Sequence, residues 1–167
     1  SGGLTVAAGA GLRADLLCDY GTQTWDVGGG RREYRVSATT GPAGDVAVHS
    51  GAALTLANVT AAARAFVING TLGLRGRLEV AVAGDIPGTA VLMRWLGPGG
   101  CGDAAARGTV TGCDACTLHL SESEPPGVCY LVLDGRPRGT GLGPGPGDGS
   151  DGHLLYLLLL LLLVPAA

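Results

Sequence analysis

The sequence predicts an all-β fold: an antiparallel β-sandwich, ahead of a short parallel β-helix, followed by a hydrophobic C-terminal tail. Three observations predict it. Helix formers are scarce, because the 167 residues include 31 Gly and 9 Pro and every basic residue is Arg, leaving few stretches that favour a long helix. Short apolar runs alternate with polar residues, the mark of half-buried strands. Gly, Pro, Asp and Ser punctuate those runs as turns.

In chain order, strands are expected over 4–6, 14–18, 33–38, 45–49, 53–59, 65–68, 77–83, 89–96, 116–120 and 128–133, with single helical turns at 60–64 and 102–107. Alternation is cleanest where Leu78, Val80 and Val82 interleave with Arg77, Glu79 and Ala81. Asp85-Ile86-Pro87-Gly88 then reads as a turn, so 77–83 and 89–96 are expected to pair as an antiparallel hairpin. A second hairpin is expected through 119–127. Asp45, Asp85 and Asp134 border turns, where Asp is favoured for its local hydrogen bonds.

A competing pattern occupies the first half. Leu4, Val6 and Gly9 share their offsets with Trp25, Val27 and Gly30 and with Val46, Val48 and Gly51; Phe66, Ile68 and Gly70 nearly repeat them. A spacing of about 20 residues with one apolar strand per unit is what a β-solenoid shows. A sandwich with a strand every ten or so residues gives the same spacing. An immunoglobulin domain is not indicated: Trp25 follows Cys18 too closely, and Tyr130 follows Cys129 instead of preceding it by two.

The organisation reads as a β-rich extracellular domain over 1–136 with a Cys-rich part at 101–129, a Gly/Pro-rich linker at 137–153, and a hydrophobic tail at 154–167. The unbroken apolar run from Leu154 to Val164 would rise only about 16 Å as a helix, half of what a membrane span needs. Small residues at Gly141, Gly143 and Gly145, a polar spacer and a terminal apolar run instead match a GPI-attachment signal, with a short retained anchor as the alternative. The chain opens at Ser1 without the basic and apolar regions of a signal peptide, and reads as a processed product or a fragment. Asn occurs only at Asn58 and Asn69, and both open sequons, Asn58-Val59-Thr60 and Asn69-Gly70-Thr71,. Together these point to a glycoprotein on the extracellular face of the plasma membrane, reached by the secretory pathway.

In that compartment Cys18, Cys101, Cys113, Cys116 and Cys129 are disulfide candidates. Spacing does not choose among the pairings of the last four, and Cys18 either joins them or is left over. A direct Cys113–Cys116 bridge would be a C-x-x-C motif, but its flanks read as loop and strand and supply no helix N-terminus to activate a thiol. A zinc ribbon would want a second x2 knuckle, which the spacing lacks.

The net charge of −3 and the absence of Lys exclude a dense basic face for nucleic acid and a polybasic membrane surface. No G-x-S-x-G elbow occurs. His49, His119 and His153 are isolated. Asp15/Asp19, Asp26/Glu33 and Glu122/Glu124 are the acid pairs a glycosidase reading would use. The run from Gly28 to Arg32 could cradle an anion but lacks the Lys-Ser/Thr of a P-loop. No catalytic residue, metal or cofactor is expected. The expected function is a non-catalytic, adhesion- or receptor-type ectodomain that binds a protein or glycan ligand and is tethered to the membrane by its tail. The alternatives are a carbohydrate-binding or carbohydrate-active β-helix fragment, and a subunit of a larger membrane assembly.

Overall fold

The computed structural model describes residues 3–17, 23–26, 32–37, 42, 44–123 and 126–135. Cys18, Asp19, Gly28 to Gly30, Glu124, His153, the linker with Gly141, Gly143 and Gly145, and the tail lie outside the described residues. Strands run as β1 Leu4–Val6, β2 Gly11–Asp15, β3 Gln23–Asp26, β4 Arg32–Ser37, β5 Val46–Val48, β6 Ala53–Val59, β7 Phe66–Leu74, β8 Arg77–Val82, β9 Gly88–Leu96, β10 Gly108–Thr111, β11 Thr117–Glu122 and β12 Val128–Gly135. A 3-10 turn, Ala104–Arg107, precedes β10. Among the described residues no helix is long and apolar enough to cross a membrane.

The strands fall into two mixed sheets, ordered β1-β5-β7-β9-β12-β11 and β10-β8-β6-β2-β4-β3. Successive strands alternate between the sheets: β1 leads to β2, β5 to β6, β7 to β8 and β9 to β10. Each such pair is one coil, and coils stack by parallel pairing in both sheets. The antiparallel pairs lie at the two ends: β3 with β4 beyond the first coil, and β12 with β9 and β11 beyond the last.

Stacking in register lines up like with like. Leu12 sits beside Leu54 and Leu54 beside Leu78, and all three are fully buried. Ala14, Leu56 and Val80 form the next row. In the other sheet Val6, Val48 and Leu74 do the same. Parallel strands are about 4.8 Å apart, so each row is a continuous ladder of side-chain contacts. Trp95 and Phe66 fill the bulkiest part of the same core, which runs unbroken from Val6 to Leu133. The turns repeat as well: Gly9 and Gly51 both have φ near +80°, and the Gly9 N–H donates to the Gly51 carbonyl at 3.0 Å. A non-glycine residue rarely adopts that conformation.

The antiparallel sandwich is therefore overturned, while the all-β class stands. The expected hairpin between 77–83 and 89–96 does not form. Those segments lie in different sheets, and β8 pairs in parallel with β6 and β10. The Ala83 N–H donates to the Val59 carbonyl at 2.8 Å, so the chain turns a corner stacked on the coil below rather than folding back on β8. A corner and a hairpin both read as strand, short turn, strand, and only non-local register separates them. The expected hairpin through 119–127 does form, as β11 with β12.

The repeat is real but partly out of phase. Leu4 and Val6 lie beside Val46 and Val48. Trp25, however, lies on β3, opposite Glu33 in the antiparallel pair. Val46 neighbours Leu72, not Phe66, which pairs with Met93. Other differences are local: the second strand is 11–15 rather than 14–18, β3 and β10 lie outside the expected strands, and 60–64 is a turn closed by the Ala63 N–H on the Thr60 carbonyl, not a helical turn.

Leu54 is the middle rung of its ladder, with neighbours above and below. Leu54→Ala should cost about 2–5 kcal/mol by urea unfolding, whereas the outward-facing neighbour Thr55→Ala should stay within about 0.5 kcal/mol.

Candidate binding groove

Four stretches of backbone converge to form an open groove of about 640 Å³. They are the approach to β5, the middle of β7, the loop after β9, and the loop joining β11 to β12. Asp45, Thr71 and Glu122 supply polar side chains, Leu96, Pro98 and Pro126 supply apolar surface, and glycines form much of the wall.

The acidic groups are fixed by the fold. Pairing of β5 with β7 places Val46 beside Leu72, so Asp45 falls beside Thr71. The Thr71 backbone N–H donates to Asp45 Oδ1 at 2.7 Å and the Thr71 hydroxyl donates to the same oxygen at 2.9 Å. These bonds favour the ionised carboxylate, and they hold the Asp45 pKa below its ordinary value, the backbone donor contributing most. Gly70 must lack a side chain here, since a Cβ would run into the backbone of Gly44 and Asp45. Across the groove, Glu122 Oε1 accepts the Gly127 N–H at 3.2 Å. Both carboxylates thus keep oxygen lone pairs for further donors.

The two sequons part company in the fold. Asn69 is exposed and lines the groove; it lies on an irregular part of β7, where Val67 to Thr71 face only Arg94 to Leu96. Asn58 is half-buried, has φ of 57°, and donates from Nδ2 to Asp15 Oδ2 at 2.6 Å. Asp15 is only 6% exposed, and its other oxygen accepts the Leu17 N–H at 3.0 Å. Asn58 is thus a structural residue at a bulge in β6, where Asn tolerates the left-handed conformation better than most. The Asn-x-Thr pattern alone carries no trace of this difference.

Among the described residues two disulfides form, Cys101–Cys129 and Cys113–Cys116. The first bridges a sequence separation of 28 and buries Cys129 completely. Gly97 packs directly on the Cys129 sulfur, where no Cβ would fit. The loop-entropy model assigns that bridge about 3.6 kcal/mol and the four-residue Cys113–Cys116 ring about 2 kcal/mol.

The remaining candidates are dispersed. His119 Nδ1 lies 3.1 Å from Asp134 Oδ2, and Asp134 Oδ1 accepts the Thr89 hydroxyl at 2.8 Å. The two side chains thus meet Asp134 through different oxygens. His49 is exposed at the end of β5 beside Arg75. Asp103 and Arg107 form an exposed ion pair at 2.9 Å, which lowers the Asp103 pKa and raises that of Arg107. Asp15 is tied to Asn58, and Asp26 lies opposite Arg32, one register step from the Trp25–Glu33 pair. Among the described residues no group of His, Cys, Asp and Glu could hold a metal ion. The sequence marked Asp45 and Asp134 only as turn residues; their hydrogen-bonding roles depend on strands that meet them from far along the chain.

No protein-family model matches the chain, and neither a curated protein nor a solved structure matches it.

Asn58→Ala removes a donor from a buried carboxylate and puts at φ 57° a residue that tolerates the left-handed region less well than Asn,. It should destabilise the fold by about 1–3 kcal/mol in urea unfolding, while Asn69→Gln should leave stability unchanged.

Proposed function

We propose that the chain is a non-catalytic, extracellular carbohydrate-binding domain displayed at the cell surface. The groove carries this reading. Asp45 and Glu122 offer charged acceptors to sugar hydroxyls, the glycine walls leave backbone groups within reach, and Leu96, Pro98 and Pro126 offer apolar surface to the C–H faces of a pyranose. Such a mix of few convergent polar groups with apolar walls is typical of small-ligand sites. The parallel coil stack supports the carbohydrate branch of the sequence expectation, for which antiparallel pairing of β8 with β9 would have been the contrary sign. Two disulfides fit an oxidising compartment,. Asn69, on the groove lip, is the acceptor suited to carry a glycan in the folded protein, and the Leu-rich run of 154–164 supplies the tether.

Binding of the full chain to an array of neutral and amino-sugar oligosaccharides tests the reading. A bound oligosaccharide should lose about tenfold or more in affinity with Asp45→Asn and with Glu122→Gln, since each removes a charge-assisted hydrogen bond. Asn69→Gln should preserve or improve binding. Failure to bind any glycan, binding indifferent to both carboxylates, or cleavage of the bound sugar would each contradict the proposal.

A further inference from the structure

The geometry points to Cys113–Cys116 as a thiol–disulfide exchange site, reduced by a protein dithiol that docks in the groove between β10 and β11. This inference stands apart from the carbohydrate reading and uses a different part of the surface. β10 and β11 are the last strands of their respective sheets, so the chain crosses from one sheet edge to the other through the loop that holds this disulfide. An open groove of about 590 Å³ runs between them, lined by Thr109 and Val110 on one side, Thr117 and Leu118 on the other, and both cysteines at its end. End strands carry backbone donors and acceptors along their free edge, a ready template for an extended partner segment.

The two disulfides differ in what they hold. Cys129 is in the core, beside Trp95 on the neighbouring strand. Cys113 and Cys116 are both only partly buried, Cys116 against the edge of the core. The structure around them has its own supports. The Cys116 N–H donates to the Cys113 carbonyl at 3.4 Å, the Thr111 hydroxyl donates to the Val80 carbonyl at 3.4 Å, and β10 and β11 are each paired along their length. Gly112, at φ +82°, packs against the Val82 carbonyl where a Cβ would not fit. Opening the four-residue ring therefore leaves the fold in place, which a reversible site requires.

The groove gives these cysteines no attacking role. Among the described residues the ionisable side chain lining it is Asp114, and the elements on either side of the C-x-x-C loop are strands, so no helix N-terminus is aimed at the sulfurs. The nucleophile comes from the partner. A partner thiolate attacks one sulfur of the pair, the Cys113–Cys116 bond breaks, and the departing sulfur leaves as a thiolate that takes up a proton. The partner's second thiol then resolves the mixed disulfide. Two electrons pass to this chain, which ends as a dithiol, and the partner ends as a disulfide.

The test uses the oxidised full chain and reduced thioredoxin as the dithiol, with dithiothreitol as a small-molecule control. Thiols are trapped by alkylation before and during reduction and located by peptide mapping. Cys113 and Cys116 should become alkylated at least about tenfold faster than Cys101 and Cys129 under native conditions, with the far-UV circular dichroism unchanged. Thr109→Trp, a bulky neutral substitution at an exposed groove position away from the sulfurs, should slow reduction by thioredoxin about fivefold and leave reduction by dithiothreitol unaffected. Equal rates for both disulfides, reduction only in denaturant, or free Cys113 and Cys116 in the untreated protein would overturn the exchange site. Insensitivity of the thioredoxin rate to Thr109→Trp would overturn the docking groove.

Discussion

Lateral stacking of like residues on like is the constraint from which the rest of the structure follows. One rung of Leu12, Leu54 and Leu78, repeated by its neighbours, both fills the core and fixes the register of the sheet. A one-residue slip of any strand would turn its apolar set to solvent. With 31 glycines and few large side chains, the chain cannot rely on bulky jigsaw packing. Rows of medium-sized aliphatics at strand spacing suit that composition, because each residue touches its equivalents above and below without needing a partner of special shape.

The surface features inherit their geometry from that register. Asp45 meets Thr71 because β5 is beside β7, and the groove lies where β7, between Val67 and Thr71, loses register with β9. The end of the stack raises a different problem. Parallel coils leave strand edges at their last turn, and this chain covers one with the β12–β11 hairpin and leaves β10 as an end strand. The C-x-x-C loop connects those two edges. Its position at the unfinished end, rather than any activation of its thiols, is what gives it a surface on which a partner can act.

Much of the strand content was legible in the sequence, and for a clear reason. Alternation over Arg77–Val82 and in Ala53–Val59 is a local signal, and the segments found there need no knowledge of their neighbours. Pairing direction was not legible, because Asp85 to Gly88 is as good a coil corner as it is a hairpin turn. The repeat of Leu4, Val6 and Gly9 at Val46, Val48 and Gly51 was visible and in true register, but the β3–β4 hairpin interposed Trp25 at a matching offset. β10, a four-residue strand beginning in Gly, is too short to stand out. The site was harder still. Both sequons look alike in sequence; only the fold separates an exposed Asn69 from an Asn58 clamped to Asp15.

Backbone nuclear Overhauser contacts in the isotopically labelled protein test the coil stack most directly. The account predicts amide and Hα contacts linking Leu54 with the Leu78 region and Val80 with Val110, in the evenly spaced pattern of parallel strands,. Contacts joining 77–83 to 89–96 across the 85–88 turn, in antiparallel register, would contradict it.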